Sequence, residues 1–126
     1  MTTNPEAFSI EVVGDITVIT LTKADKILNN DERIQFIGLK LLELAESRYK
    51  ILVDCINVSF MSSSFIGKLI LLLKNMRSKE GKLVLCGIAP NILEVLKILK
   101  VRHKRLSDLF SIFPDRETAL SSFQQT

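Results

Sequence analysis

Three consecutive hydroxyls, Ser62, Ser63 and Ser64, open an apolar run, and an acid, Asp54, ends the β-branched stretch before them. A serine can serve as a nucleophile, a helix cap or a phosphate acceptor, and its neighbours decide which. Nucleophilic work needs a base, and His103 is the one histidine of the chain. A small hydrolase would therefore have to pair Ser63 or Ser64 with His103. No Gly-x-Ser-x-Gly elbow surrounds the serines, which argues against that chemistry. A metal centre is not expected, because one histidine and two strand-borne cysteines, Cys55 and Cys86, do not supply a ligand set. Phosphate-cradling and dinucleotide glycine motifs are absent, so no cofactor is expected either. Asp54 can act as an acid or base, or can bond the turn that follows it.

The elements that carry these residues follow from hydrophobic period. Residues 1–7, with Pro5, read as a loose lead-in. Phe8–Val13 alternates with period two, Gly14-Asp15 turns the chain, and Ile16–Leu21 returns, which is a hairpin signature. Asn29 or Asn30 can cap a helix, with Asn29 and Glu32 spaced as a capping box. Ile34, Ile37, Leu41, Leu44 and Ala45 fall on one face of that helix. Ile51–Ile56 is apolar on both alternations apart from Asp54, as a central strand covered on both faces should be. Ser63–Ser78 reads as a deeply buried helix on Ile66, Leu69, Ile70, Leu73 and Met76, stopped at Gly81. Lys82–Ile88 is a second covered strand, and Pro90 opens a helix running to Lys100. A helical turn at Leu106–Phe110, a strand at Ser111–Phe113 and a closing helix from Pro114-Asp115 complete the order. The expected fold is a single α/β domain over residues 1–126. It has a mixed, mostly parallel sheet, an opening β-hairpin and about four helices.

Composition narrows the class. A chain of 126 residues with 47% hydrophobic and 25% charged residues suits one soluble domain with one core. The two cysteines read as reduced core thiols of a cytoplasmic protein, with no secretory leader before them. Apolar runs are too short to span a bilayer. The net charge of +3 is modest. The basic cluster Lys100–Arg105 lacks interleaved aromatics, so direct nucleic-acid binding is not expected and a solvated helix end or loop is.

A serine at a helix start meets free N–H groups and the positive end of the helix dipole. One of Ser62 and Ser63 is expected to cap the helix, which leaves the others unexplained. A phosphoserine there adds about −1.5 to −2 charges, which the helix end tolerates and a docked partner does not. Such a modification would switch binding without unfolding the domain.

The layout resembles the STAS domain of bacterial anti-sigma factor antagonists over nearly the whole chain. The resemblance lies in Leu52-Val-Asp-Cys55, the turn Asn57-Val-Ser-Phe-Met61, Gly67, Glu80-Gly-Lys-Leu-Val-Leu85, the helix from Pro90, Leu109-Phe110 and Glu117-Thr-Ala-Leu120. In that family the turn into the helix reads Asp-Ser-Ser-Gly-Leu-Gly, and its second serine is the phosphoacceptor. Ser62 stands here at the Asp, Ser63 at the first serine, Ser64 at the acceptor, Phe65 at the first glycine, Ile66 at the leucine and Gly67 at the last glycine. The resemblance implies phosphorylation at Ser64, with Ser63 second, and a partner surface of Asp54, Met61, Ser62, Phe65 and Lys68. It implies an anti-sigma factor that is a serine-protein kinase as partner, a serine phosphatase that reverses the mark, and no catalysis by the chain itself. Monomer or weak dimer is the expected state. Replacing the Asp removes an acid beside the acceptor. Phe65 in place of glycine is expected either to pack inward or to anchor a partner. The alternative reading is an unphosphorylated STAS adaptor in a transporter or sensory complex.

Overall fold

The computed structural model describes residues 8–21 and 31–124. Its strands are β1 (Phe8–Val13), β2 (Ile16–Leu21), β3 (Lys50–Asp54), β4 (Lys82–Cys86), β5 (Lys100–Val101), β6 (Lys104–Arg105) and β7 (Ser111–Phe113). Its helices are α1 (Asp31–Ala45), α2 (Ser63–Ser78), α3 (Pro90–Ile98), α4 (Leu106–Leu109) and α5 (Arg116–Ser122). The main sheet has the order β1-β2-β3-β4-β7, antiparallel between β1 and β2 and parallel elsewhere. The expected mixed sheet and opening hairpin are therefore both present. Gly14 takes a φ of 65° between Val13 and Ile16, the left-handed step that a two-residue hairpin of the II′ kind places first. The helix caps expected at Asn29 and Asn30, and the lead-in at 1–7, lie outside the described residues.

Strand alternation sorts the core into two layers. Ile19, Leu21, Ile51, Val53, Cys55, Leu83 and Leu85 face Ile34, Ile37 and Leu41 of α1 and Phe65, Leu69, Leu72 and Met76 of α2. Val18, Leu52, Val84 and Cys86 face the other way, onto Ala119 and Phe123 at α5. Both cysteines are free and buried, and these opposite faces keep them from pairing. Burial is the main cause that pushes both thiols up, with nearby Asp54 adding to it; Cys86 is raised to about 12.

The ends of α2 carry local chemistry. Ser62 caps its start: its Oγ accepts the Phe65 N–H at 3.2 Å. At the other end the Gly81 N–H donates to Met76 O at 2.7 Å and the Glu80 N–H to Arg77 O at 3.0 Å. This is a Schellman stop, and its left-handed residue is Glu80, at φ 61°, where glycine usually sits. Gly81 is needed for space instead, since a Cβ there would lie 2.9 Å from Met76 Cε and 3.1 Å from Tyr49 O.

The strands expected over Ile51–Ile56 and Lys82–Ile88 end at Asp54 and Cys86, and two further expectations change after β4. The third helix ends at Ile98 rather than Lys100, because Leu99 is extended and its carbonyl accepts the Leu106 N–H at 2.9 Å. Lys100–Arg105 is neither a helix end nor a loop but a small antiparallel hairpin, β5–β6. Arg102 and His103 form its tip with φ of 51° and 74°.

Candidate functional site

The C-terminal ends of β3 and β4 lie side by side, with Asp54 opposite Cys86 in register. Chains leaving parallel strands diverge at this end, which is where open α/β sheets commonly place binding surfaces. Asp54 is buried, and its Oδ1 accepts the Ile56 N–H at 3.1 Å, so it fixes the turn after β3. The Val58 N–H donates to Cys55 O at 3.0 Å and closes that turn. Gly87, at φ 70°, lets β4 leave beside it, because a Cβ would stand 3.0 Å from Ile56 N and 3.1 Å from Asp54 Oδ1. Asn91 Nδ2 of α3 donates to Ser59 O at 3.3 Å and ties down the rest of the loop. Asn57 Nδ2 reaches Leu21 O of β2 at 3.4 Å. The loop between β3 and α2 is thus anchored to β2 and α3 before the serines begin.

Ser62 is half-buried and committed to its cap, while Ser63 and Ser64 are exposed on the first turn of α2. No acid lies in that turn, so the helix itself supplies no side-chain charge to compensate the N–H groups and dipole there. Ser or Asp at the Ncap satisfies the N3 amide about equally well. Ser62 therefore keeps the capping function of an acid at this position and omits its charge. Lys68 lies four residues beyond Ser64, one turn along the same face. Its stem runs across Gly38 of α1, where any Cβ would meet Lys68 Cδ at 2.7 Å, and its Nζ donates to Gln35 Oε1 at 2.7 Å. The absence of a side chain at Gly38 lets this lysine bridge the two helices.

The geometry corrects much of the expected partner surface. Phe65 is fully buried among the side chains of α1, α2 and the sheet, so it packs inward and anchors nothing outside. Met61 belongs to the same core, and Asp54 is spent on its turn. These three residues offer no appreciable side-chain surface to a partner. Two residues that the sequence did not single out are exposed there instead: Ile56 at 66% and Phe60 at 49%, both on the anchored loop. Ile56 was expected to close the covered strand, but β3 stops at Asp54, and in the turn that follows Val58 and Met61 point inward while Ile56 and Phe60 point out. Ser63 or Ser64 and His103 are not brought together. The serines begin α2, whereas His103 follows α3 near α4, whose Leu109 O is held by Arg77 at the far end of α2. Sixteen residues of helix separate those ends by about 24 Å. Among the described residues no group of His, Cys, Asp and Glu could hold a metal, and no helix is long and apolar enough to cross a membrane.

Known proteins share this fold. BtrV of Bordetella bronchiseptica, whose name gives it as an anti-sigma factor antagonist, is 31% identical over 78 residues; the match takes in 60% of this chain and 60% of BtrV. The crystal structure of TM1081 from Thermotoga maritima, likewise named an anti-sigma factor antagonist, superposes with a TM-score of 0.81. It shares 19% identity and covers 94% of this chain and 95% of its own. The phosphorylated form of the Bacillus cell fate determinant SpoIIAA superposes at a TM-score of 0.66 with 19% identity, over 93% of this chain and 99% of its own. At those identities the two structures establish a common fold. The sequence itself matches the STAS domain model over residues 2–119. With the sheet order, the serine-opened helix and that match in agreement, this chain belongs to the STAS domain family.

Proposed function

We propose that this STAS domain is an anti-sigma factor antagonist whose grip on its partner is switched by phosphorylation of Ser64, with Ser63 as the second acceptor. The partner is an anti-sigma factor that is also a serine kinase, and a serine phosphatase resets the switch. One observation carries this reading: Ser64 is exposed at the N-terminus of a buried helix, beside a fixed loop that displays Ile56 and Phe60. BtrV supports it by its name, and SpoIIAA by existing in a phosphorylated form. Unmodified, the serine hydroxyls sit at the rim of an apolar patch that a partner can cover. Phosphorylated, the same rim carries a hydrated dianion. Within the domain the acid-free first turn of the helix and Lys68 at i+4 favour that charge. Against an apolar or acidic partner surface it must be desolvated or repelled, so the complex is lost while the fold stays intact.

Two measurements test this. Intact mass of the protein isolated from its host, with and without phosphatase, should show one phosphate that phosphatase removes; an unmodified mass in all growth conditions leaves the constitutive adaptor in its place. In pull-downs with the serine kinase encoded nearest to the gene, Ser64→Ala should bind and Ser64→Asp should lose at least about tenfold in affinity, or about 1.4 kcal/mol. Equal binding by the two variants removes Ser64 as the control point. Loss of binding in Phe60→Ser and Ile56→Ser, with stability retained, would place the partner on the loop.

A further inference from the structure

The β5–β6 hairpin gathers charge that nothing among the described residues answers. Lys100 is paired directly with Arg105 across the ribbon, and like charges in that position repel. Among the described residues, the side chains of Lys100, Arg102, Lys104 and Arg105 make no hydrogen bond or ion pair. Cations elsewhere at this end are engaged within the fold: Lys50 with Asp15, Arg77 with Leu109 O, Lys82 with Ser122 O, and Lys79 over the Tyr49 ring. The tip adds a second cost, since Arg102 and His103 both hold left-handed backbone without being glycine. Beside the hairpin, Ile98 at the end of α3 is the most exposed large apolar side chain among the described residues, at 73%.

We propose that this hairpin, with Ile98, is a docking surface for an anionic lipid bilayer. Unanswered cations complement acidic headgroups, and an exposed aliphatic next to them can enter the interface below those headgroups. The surface is a projecting two-stranded ribbon with no aromatic for base stacking, which disfavours single-stranded nucleic acid. A fluid headgroup layer takes up such a projection with no need for a matching cavity. The hairpin and the serines lie toward opposite ends of α2, so a docked domain keeps Ser63 and Ser64 facing solvent. The docking is independent of whether Ser64 is ever phosphorylated.

The test is co-sedimentation of the full chain with phosphatidylcholine vesicles, with and without phosphatidylglycerol at about a third of the lipid. Binding is expected to the anionic vesicles only and to fade at about 0.5 M salt, where the Debye length falls to a few ångströms. Each cation near such a surface is worth about fivefold in partitioning, so Lys100→Gln with Arg105→Gln should lower binding about 30-fold. Ile98→Ser should weaken it further, and thermal melts unchanged from the parent would show that each variant is folded. Equal binding to neutral and anionic vesicles, or no effect of the paired Gln variant, overturns the proposal. So does unchanged vesicle binding by Ile98→Ser, or a polyglutamate or duplex DNA probe that binds more tightly than the vesicles. Either probe result would assign the surface to an acidic polymer.

Discussion

Single residues near the serine turn have separable duties. Ser62 supplies the N-cap bond to Phe65, and truncating it to Ala should cost about 1 kcal/mol in urea unfolding. Ser62→Asp retains an acceptor and adds charge at the favourable end of the dipole, so it should be at least as stable as the parent. Equal losses in both variants would show that the hydroxyl does not cap α2. Phe65 beside it is a core residue, and Phe65→Ala should cost about 3–5 kcal/mol by leaving a cavity between α2 and the sheet. A smaller loss than about 1 kcal/mol would contradict its burial. These two neighbours show why exposure has to be settled before a residue on this segment is assigned to a partner.

At the scale of an element, the C-terminal stop of α2 divides two tasks that a single glycine often performs together. Glu80 takes the left-handed conformation, and Gly81 gives the clearance against Met76 and Tyr49 O. Glu80→Gly removes steric strain and costs some unfolded-state entropy, with a net gain of up to about 1 kcal/mol. Gly81→Ala forces the helix end and the start of β4 apart and should cost about 1–3 kcal/mol. Thermal melts of the two variants should therefore move in opposite directions. Movement in the same direction would refute the division. The sequence pointed to Gly81 as the stop because composition marks a breaker without revealing whether its freedom or its small size is used.

For the whole molecule, the two-layer core keeps both thiols neutral. An unfolded thiol ionises near 8.5, while burial raises both folded thiols and Cys86 reaches about 12. Above about pH 8.5 the unfolded state loses protons that the folded state keeps. The stability tied to these thiols is thus complete below that pH and falls as the pH rises toward about 12. The urea midpoint should drop between about pH 8 and pH 10, and the drop should be shallower in Cys55→Ala or Cys86→Ala. A thiol reagent at pH about 8 should leave the native protein unlabelled and label both cysteines in urea. Fast labelling of the native state would mean that the sheet faces are not closed over them.

The sequence determined the alternating strands, the Gly14-Asp15 hairpin, the amphipathic helices and the serine-opened α2, because each is written in local period or turn chemistry within a few residues. It also carried the STAS resemblance, which rests on such local motifs in order. Tertiary structure decided which sides of those elements are covered. Phe65 and Met61 turned inward because α1 and α3 leave room there for apolar volume, and Asp54 was drawn down onto the Ile56 N–H. Ile56 and Phe60 remain outside, since no helix among the described residues lies over the anchored loop. The β5–β6 hairpin was hidden for another reason: strands of two residues have no readable period, and a left-handed tip made of Arg and His lacks the usual Asn-Gly signal. Burial and pairing between distant segments are properties of the assembled core, and only the assembled core could assign them.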